Sequence, residues 1–133
     1  CGIQTLLFIT LCRCAGIPAR WESGLAAGPD SCGPHDWSKI YAAPLGWFHV
    51  DCSRGGSAFR QGDEALHKYY FGNIAGDAMV ANREFQGEFA VEKSHWRADP
   101  YDNQIGEIET GGRGLMYSQF DRTRAVLEFE KIK

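Results

Sequence analysis

Apolar positions crowd the first part of the chain. Residues 2–15, GIQTLLFITLCRCA, are interrupted only by Gln4, Thr5, Thr10 and Arg13. The run suits a helix of about four turns and is too short to cross a bilayer. A helix apolar on nearly every side is expected to be buried. Gly16 falls at its C-terminal cap and Pro18 bars its resumption. Residues 19–25 read as a strand, 27–34 as a Gly- and Pro-rich loop, and 36–42 as an alternating strand. A turn at Pro44 and Gly46 leads into a strand over 47–52, so these two strands form a hairpin.

The pattern then weakens. Residues 53–62 are polar, contain Gly55 and Gly56, and read as a loop. Residues 63–71 predict a short helix capped by Asp63, with Ala65, Leu66, Tyr69 and Tyr70 on its apolar side. Residues 72–84 have no clear period. A strand is predicted over 85–92, turn-rich chain over 94–104, and a hairpin of 106–110 with 114–120 around Gly111 and Gly112. The tail, TRAVLEFEKIK, alternates as an edge strand would. One buried helix followed mainly by strands predicts an α+β fold with the helix packed on an antiparallel β-sheet. Without repeats, low-complexity tracts or an evident linker, residues 1–133 are expected to form one domain.

Composition narrows the function. The chain is 44% hydrophobic and 23% charged, which suits a globular core and argues against disorder or a coiled coil. Fourteen basic and 17 acidic residues give a formal charge of −3, and the basic residues form no block. That balance argues against a nucleic-acid partner held by phosphate contacts. No run is long enough for a transmembrane helix, and no signal peptide opens the sequence. The five cysteines leave at least one thiol unpaired within the chain. Cys12 and Cys14 point apart on a helix and are not expected to bridge. Cys12, Cys14, Cys32 and Cys52 lack the paired spacing of a zinc site. No metal and no cofactor is called for.

Three residues form a chemical set. Cys1 opens the predicted helix, where unpaired N–H groups and the dipole favour a thiolate. His35 heads one hairpin strand and Asp51 lies near the end of the other, so the two can meet across the ladder. A histidine beside the thiol takes its proton, and a carboxylate on the other ring nitrogen fixes the tautomer. Cys1, His35 and Asp51 are therefore the candidate nucleophile, base and orienting residue. His49 competes with His35, because residues 47, 49 and 51 share a strand face. Asp30 and Asp36 read as solvated, Arg20 as a structural or surface cation, and Trp37 and Trp47 as core or cleft wall. Glu107 and Glu109 read as a solvated face rather than a glycosidase pair. Cys1 also admits readings as a buried structural thiol, a lipid-modified residue or an N-terminal nucleophile using its own amine.

The pieces CGIQ, LCRCAGIPARW, HDW and GWFHVDCS, in that order and spacing, resemble the transglutaminase-like superfamily over residues 1 to about 55. The resemblance implies a papain-like core with Cys1 as nucleophile, His35 as base and Asp51 as orienting carboxylate. It implies acyl transfer on a peptide, protein or amide substrate through a thioester. Hydrolysis is the expected outcome, with protein-glutamine cross-linking or a non-catalytic binding module as alternatives. FGNIAGDAMVAN and GEIETGGRGL resemble, more loosely, extensions on bacterial transglutaminase-like proteins. A secreted, periplasmic or surface-anchored protein is implied as well. Family members carry chain ahead of the cysteine, including a donor to the oxyanion, so the sequence is expected to be the C-terminal piece of a longer protein.

Overall fold

The computed structural model describes residues 1–97, 106–130 and 132. It is an α+β arrangement. Helix α1 (Gly2–Cys14) is followed by β1 (Ala19–Gly28), β2 (Ser31–Ala42) and β3 (Gly46–Val50), then α2 (Cys52–Arg60), α3 (Glu64–Tyr69), β4 (Phe71–Gly72) and β5 (Ala78–Asn82). The five strands form one sheet in the order β4-β3-β2-β1-β5, with every pairing antiparallel. A small separate hairpin, β6 (Glu109–Thr110) with β7 (Arg113–Gly114), and a 3₁₀ turn at Tyr117–Gln119 lie in the later chain. No helix among the described residues is long and apolar enough to cross a membrane.

α1 lies on one sheet face. Ile9 and Cys12 pack with Ala19, Trp21, Ile40 and Val50. The expectation of an all-round buried helix is not met: Ile3 is 86% exposed, and Leu7 and Leu11 are exposed on the same stripe. Only the face carrying Thr5, Ile9 and Cys12 is buried, which is the spacing of one helix side. The helix ends in a Schellman motif. Gly16 has φ +76°, Ile17 N–H donates to Cys12 O at 2.8 Å, and Gly16 N–H donates to Arg13 O at 3.0 Å. Arg13 then donates from Nε and Nη2 to Ala19 O at 3.0 and 2.8 Å, tying the helix end to the first residue of β1.

The predicted 27–34 loop is almost wholly strand. β1 and β2 remain in register to Gly28↔Ser31, so the turn is only residues 29 and 30. Long antiparallel pairing supplies the ladder bonds that the local Gly and Pro content discouraged. On the other edge, β5 crosses β1 at a bulge between Ser23 and Gly24. A Cβ on Gly24 would collide with the Met79 carbonyl oxygen and stand 2.9 Å from Ala81 N, so glycine permits this close approach.

The predicted 53–62 loop is instead α2. Asp51 caps it, its Oδ1 accepting from Arg54 N–H at 2.9 Å, and this offsets the weak propensity of Gly55 and Gly56. α3 follows as predicted, with Asp63 Oδ1 accepting from Leu66 N–H at 2.9 Å, although none of its residues is buried. The predicted strand over 85–92 does not form; Gln86 at φ +55° breaks the extended backbone. The predicted second hairpin shrinks to two residues per strand. Residues 123–130 form no strand and join neither edge of the sheet, β4 or β5, and Leu127 is 97% exposed. The turn-rich reading of 94–104 lies largely outside the described residues, as does the last part of the tail.

Candidate functional site

The site lies where the start of α1 meets β2 and the end of β3. In an alternating strand, neighbours face opposite ways. Asp36 and Ile40 of β2 meet α1, whereas Trp37 and Lys39 reach across to Glu22 on the other face.

His35 and Asp51 are brought together. His35 Nε2 and Asp51 Oδ2 are 2.7 Å apart. Asp51 is 2% exposed and fully engaged, since Oδ1 caps α2 and its own N–H donates to Tyr70 O at 3.0 Å. A carboxylate held at both oxygens accepts from the ring, which assigns the proton to His35 Nε2 and leaves Nδ1 as the basic lone pair. Trp37, with its ring centroid 6.0 Å from that of His35, stands beside the imidazole.

His49, the competing histidine, faces elsewhere. Its Nε2 is 3.2 Å from Glu22 Oε2. Burial, then the charge of Lys39, pushes the His49 pKa down, although Glu22 pulls the other way. That lowering favours the neutral ring beside Glu22. Glu22 also accepts from Trp37 Nε1 at 2.9 Å and lies 3.6 Å from Lys39 Nζ. Sequence reasoning missed this buried carboxylate. Its signal was present: Glu22 and Trp37 are direct cross-strand partners.

Cys1 occupies the N-cap position of α1 and is exposed. Its thiol does not meet His35; among the described residues no hydrogen bond joins them. Cys1 Sγ donates to Asp36 Oδ2 at 2.9 Å. Asp36, expected to be solvated, is 2% exposed and lies against the first turn of α1. Thr5, one turn further on, donates to the Asp36 backbone oxygen at 3.3 Å. Strand alternation was the signal that could have found Asp36, because it turns the residue next to His35 toward the helix.

The other thiols are poorer nucleophiles or lie away from the site. Burial pushes the Cys52 thiol up despite its 3.9 Å contact with Thr5, and burial does the same to Cys12. Cys14 is exposed on the last turn of α1 and Cys32 lies near the β1–β2 turn; all five cysteines are free. No group of residues suited to a metal ion occurs among the described residues. Glu107 and Glu109 do not act as a pair. Glu107 lies 3.5 Å from Arg97, whereas Glu109 accepts backbone N–H groups of Ser94 and His95. Beside Asp51, a cavity of about 200 Å³ is walled mainly by Phe8, Val50, Cys52, Tyr70 and Phe71.

Residues 1–52 of the 133 match the family model of the transglutaminase-like superfamily. The matched span runs from Cys1 to the first residue of α2 and contains His35 and Asp51. The motif resemblance read from the sequence therefore holds over that span. Comparison with curated proteins and with solved structures gave no match.

Proposed function

From the transglutaminase-like match over residues 1–52, we propose that the protein performs cysteine-dependent acyl transfer on a peptide or amide bond from a papain-like core, with hydrolysis as the outcome. The observation that carries this reading is the 2.7 Å His35–Asp51 contact, in which Asp51 is pinned as the cap of α2 and His35 Nδ1 is left as a base. Cys1 is hydrogen-bonded to the residue next to that histidine and lies at a helix start, where the dipole favours developing negative charge.

In the proposed reaction, Cys1 Sγ attacks the substrate carbonyl carbon as its proton passes to His35 Nδ1. The tetrahedral intermediate collapses, the C–N bond breaks, and His35 returns the proton to the departing amine. Cys1 is left as a thioester. Water then attacks, giving a proton to His35; the C–S bond breaks, and the proton returns to the thiol. Asp51 stays ionised and holds the ring in the tautomer that leaves Nδ1 free.

The test is trapping. An activated ester should add one acyl group to Cys1, located by peptide mass spectrometry, and His35→Ala should slow that addition by ~10²–10⁴-fold. Free acid should be the main product in the presence of cadaverine. Dominant cadaverine adduct would replace hydrolysis with cross-linking. Absence of acylation at Cys1 would favour a binding module of the same fold.

A further inference from the structure

We propose that Asp36 is a positioning residue that holds the Cys1 thiol protonated in the resting protein, and that breaking this hydrogen bond arms the nucleophile. The inference rests on the acyl-transfer reading for the role of Cys1 and assigns a control to that same site.

Three observations carry it. First, Sγ donates to Asp36 Oδ2 at 2.9 Å, so the resting sulfur carries its proton and is turned to the carboxylate. Second, that carboxylate is placed by the fold rather than by chance of a flexible side chain. Asp36 is 2% exposed, pairs with Ser23 on β1, and has its backbone oxygen bonded by Thr5. Third, Oδ2 lies against the first turn of α1, 3.2 Å from where a Cβ on Gly2 would stand. α1 has no acidic residue in its own first turn. Asp36 therefore supplies the negative charge that the helix start favours.

These facts put two acids at one helix end. A thiolate at Cys1 would lie next to a buried carboxylate, and like charges at that range disfavour each other. The helix start, which alone would favour the thiolate, is already occupied by Asp36. The titratable and charged groups at this junction are the Cys1 thiol and amine on α1, His35 beside Asp36 on β2, and Asp51, Cys52 and Arg54 at the head of α2; the two cations are unchanged when Asp36 is replaced. Ser23 and Trp21 of β1, also at this junction, carry no charge. During attack the S–H proton goes to His35 Nδ1, and Asp36 remains a carboxylate throughout. The protein at rest then exposes a thiol of low reactivity and activates it only when Sγ turns from Asp36.

The experiment measures iodoacetamide alkylation of Cys1 against pH, with Cys14 as an internal control. Asp36→Asn keeps volume and an acceptor oxygen but removes the charge. It should speed Cys1 alkylation at neutral pH by about tenfold, equivalent to lowering the midpoint by about one pH unit, and leave Cys14 unchanged. Asp36→Glu, which retains the charge, should stay near the unmodified protein. Unchanged or slower Cys1 alkylation in Asp36→Asn overturns the proposal. A second measurement needs no change at position 36: ultraviolet thiolate absorbance of the protein minus that of Cys1→Ser. The proposal expects almost no thiolate signal at neutral pH, and a full signal overturns it. Acyl-enzyme formation is read separately. Faster alkylation in Asp36→Asn without any acylation would sink acyl transfer and leave the Asp36 restraint standing. Normal acylation with no alkylation change would do the reverse.

Discussion

Up to Asn82 the chain is organised by long strand pairing and an apolar interface between α1 and the sheet. Beyond Arg83, apart from Phe85, whose ring packs on Trp21 with centroids 5.2 Å apart, the described chain is organised mainly by charge and aromatic faces. Arg97 stands 3.9 Å above the Tyr117 ring and 3.5 Å from Glu107, and Arg122 lies over both Tyr117 and Phe120. Glu109 staples the chain by accepting from His95 N–H and Ser94 N–H. Leu115 is the buried aliphatic residue described there. Apolar burial is nondirectional and grows with area, so it supports a large cooperative unit. Arg–carboxylate–aromatic contacts are directional and local, and breaking one loosens the segment that holds it. The proposed site lies wholly in the first region, where strand pairing places His35 within 2.7 Å of Asp51.

The largest expected effect tests whether the site draws only on that first region. Asp51→Asn keeps a good helix cap, because asparagine caps about as well as aspartate, but offers His35 an ambiguous partner. Acylation of Cys1 by an activated ester should fall by as much as ~10⁴-fold while the melting temperature barely moves. Asp51→Ala should lose the same activity and about 1 kcal/mol of stability as well, read by denaturant titration. Equal acylation in Asp51→Asn and the parent would show that Asp51 only caps α2.

Trp37→Ala probes the sheet itself. Trp37 is 0% exposed and donates to Glu22, so its loss leaves both a void and a buried carboxylate short of one donor. A cost of about 3–5 kcal/mol is expected, with the whole first region unfolding together in a urea titration. Loss of structure confined to one strand would contradict its treatment as one cooperative unit.

Glu107→Gln should act locally. The buried Arg97 loses a charged partner, and hydrogen exchange should quicken at residues 93–97 and 107–117 while β2 amides stay protected. Equal acceleration in β2 would erase the distinction between the regions.

The smallest effects are in pH. His49 is held below its ordinary value by burial, so the unfolded chain binds its proton first as pH falls. Stability should therefore decline as pH drops below ~6.5, with a slope no greater than that of one proton, and His49→Gln should remove that part of the decline. Glu109 is also depressed, chiefly by the His95 N–H bond. Its contribution is present above the unfolded carboxylate value of ~4.3 and fades as acid protonates it. Exchange at Ser94 and His95 should speed up in that acid range in the parent and already be fast in Glu109→Gln.

Local chemistry made much of this legible. Gly16 and Pro18 marked the end of α1, Asp63 marked the start of α3, and alternation marked β2 and β3. Those signals act within a few residues, so sequence carries them directly. The errors arose where a distant partner overrode a local preference. Gly55 and Gly56 argued for a loop, but the Asp51 cap nucleates α2, and Asp51 is itself held by the Tyr70 carbonyl from beyond α3. Gly28 to Gly33 argued for a loop, but the β1–β2 ladder runs through it. The predicted 85–92 strand and residues 123–130 of the alternating tail have local strand patterns but pair with no strand among the described residues.

The sequence by itself determined that a cysteine opens a helix and that His35 lies on one hairpin strand with Asp51 close to the end of the other. These follow from spacing along one chain, because helix and strand geometry fix which positions share a face. Only the tertiary structure decided two further partners: His49 with Glu22, and Cys1 with Asp36 rather than with the histidine. Each choice depends on how α1 docks on β2 and on the register of β1, β2 and β3. A shift of one residue in a strand turns every side chain to the opposite face, and no short-range pattern in the sequence carries that information.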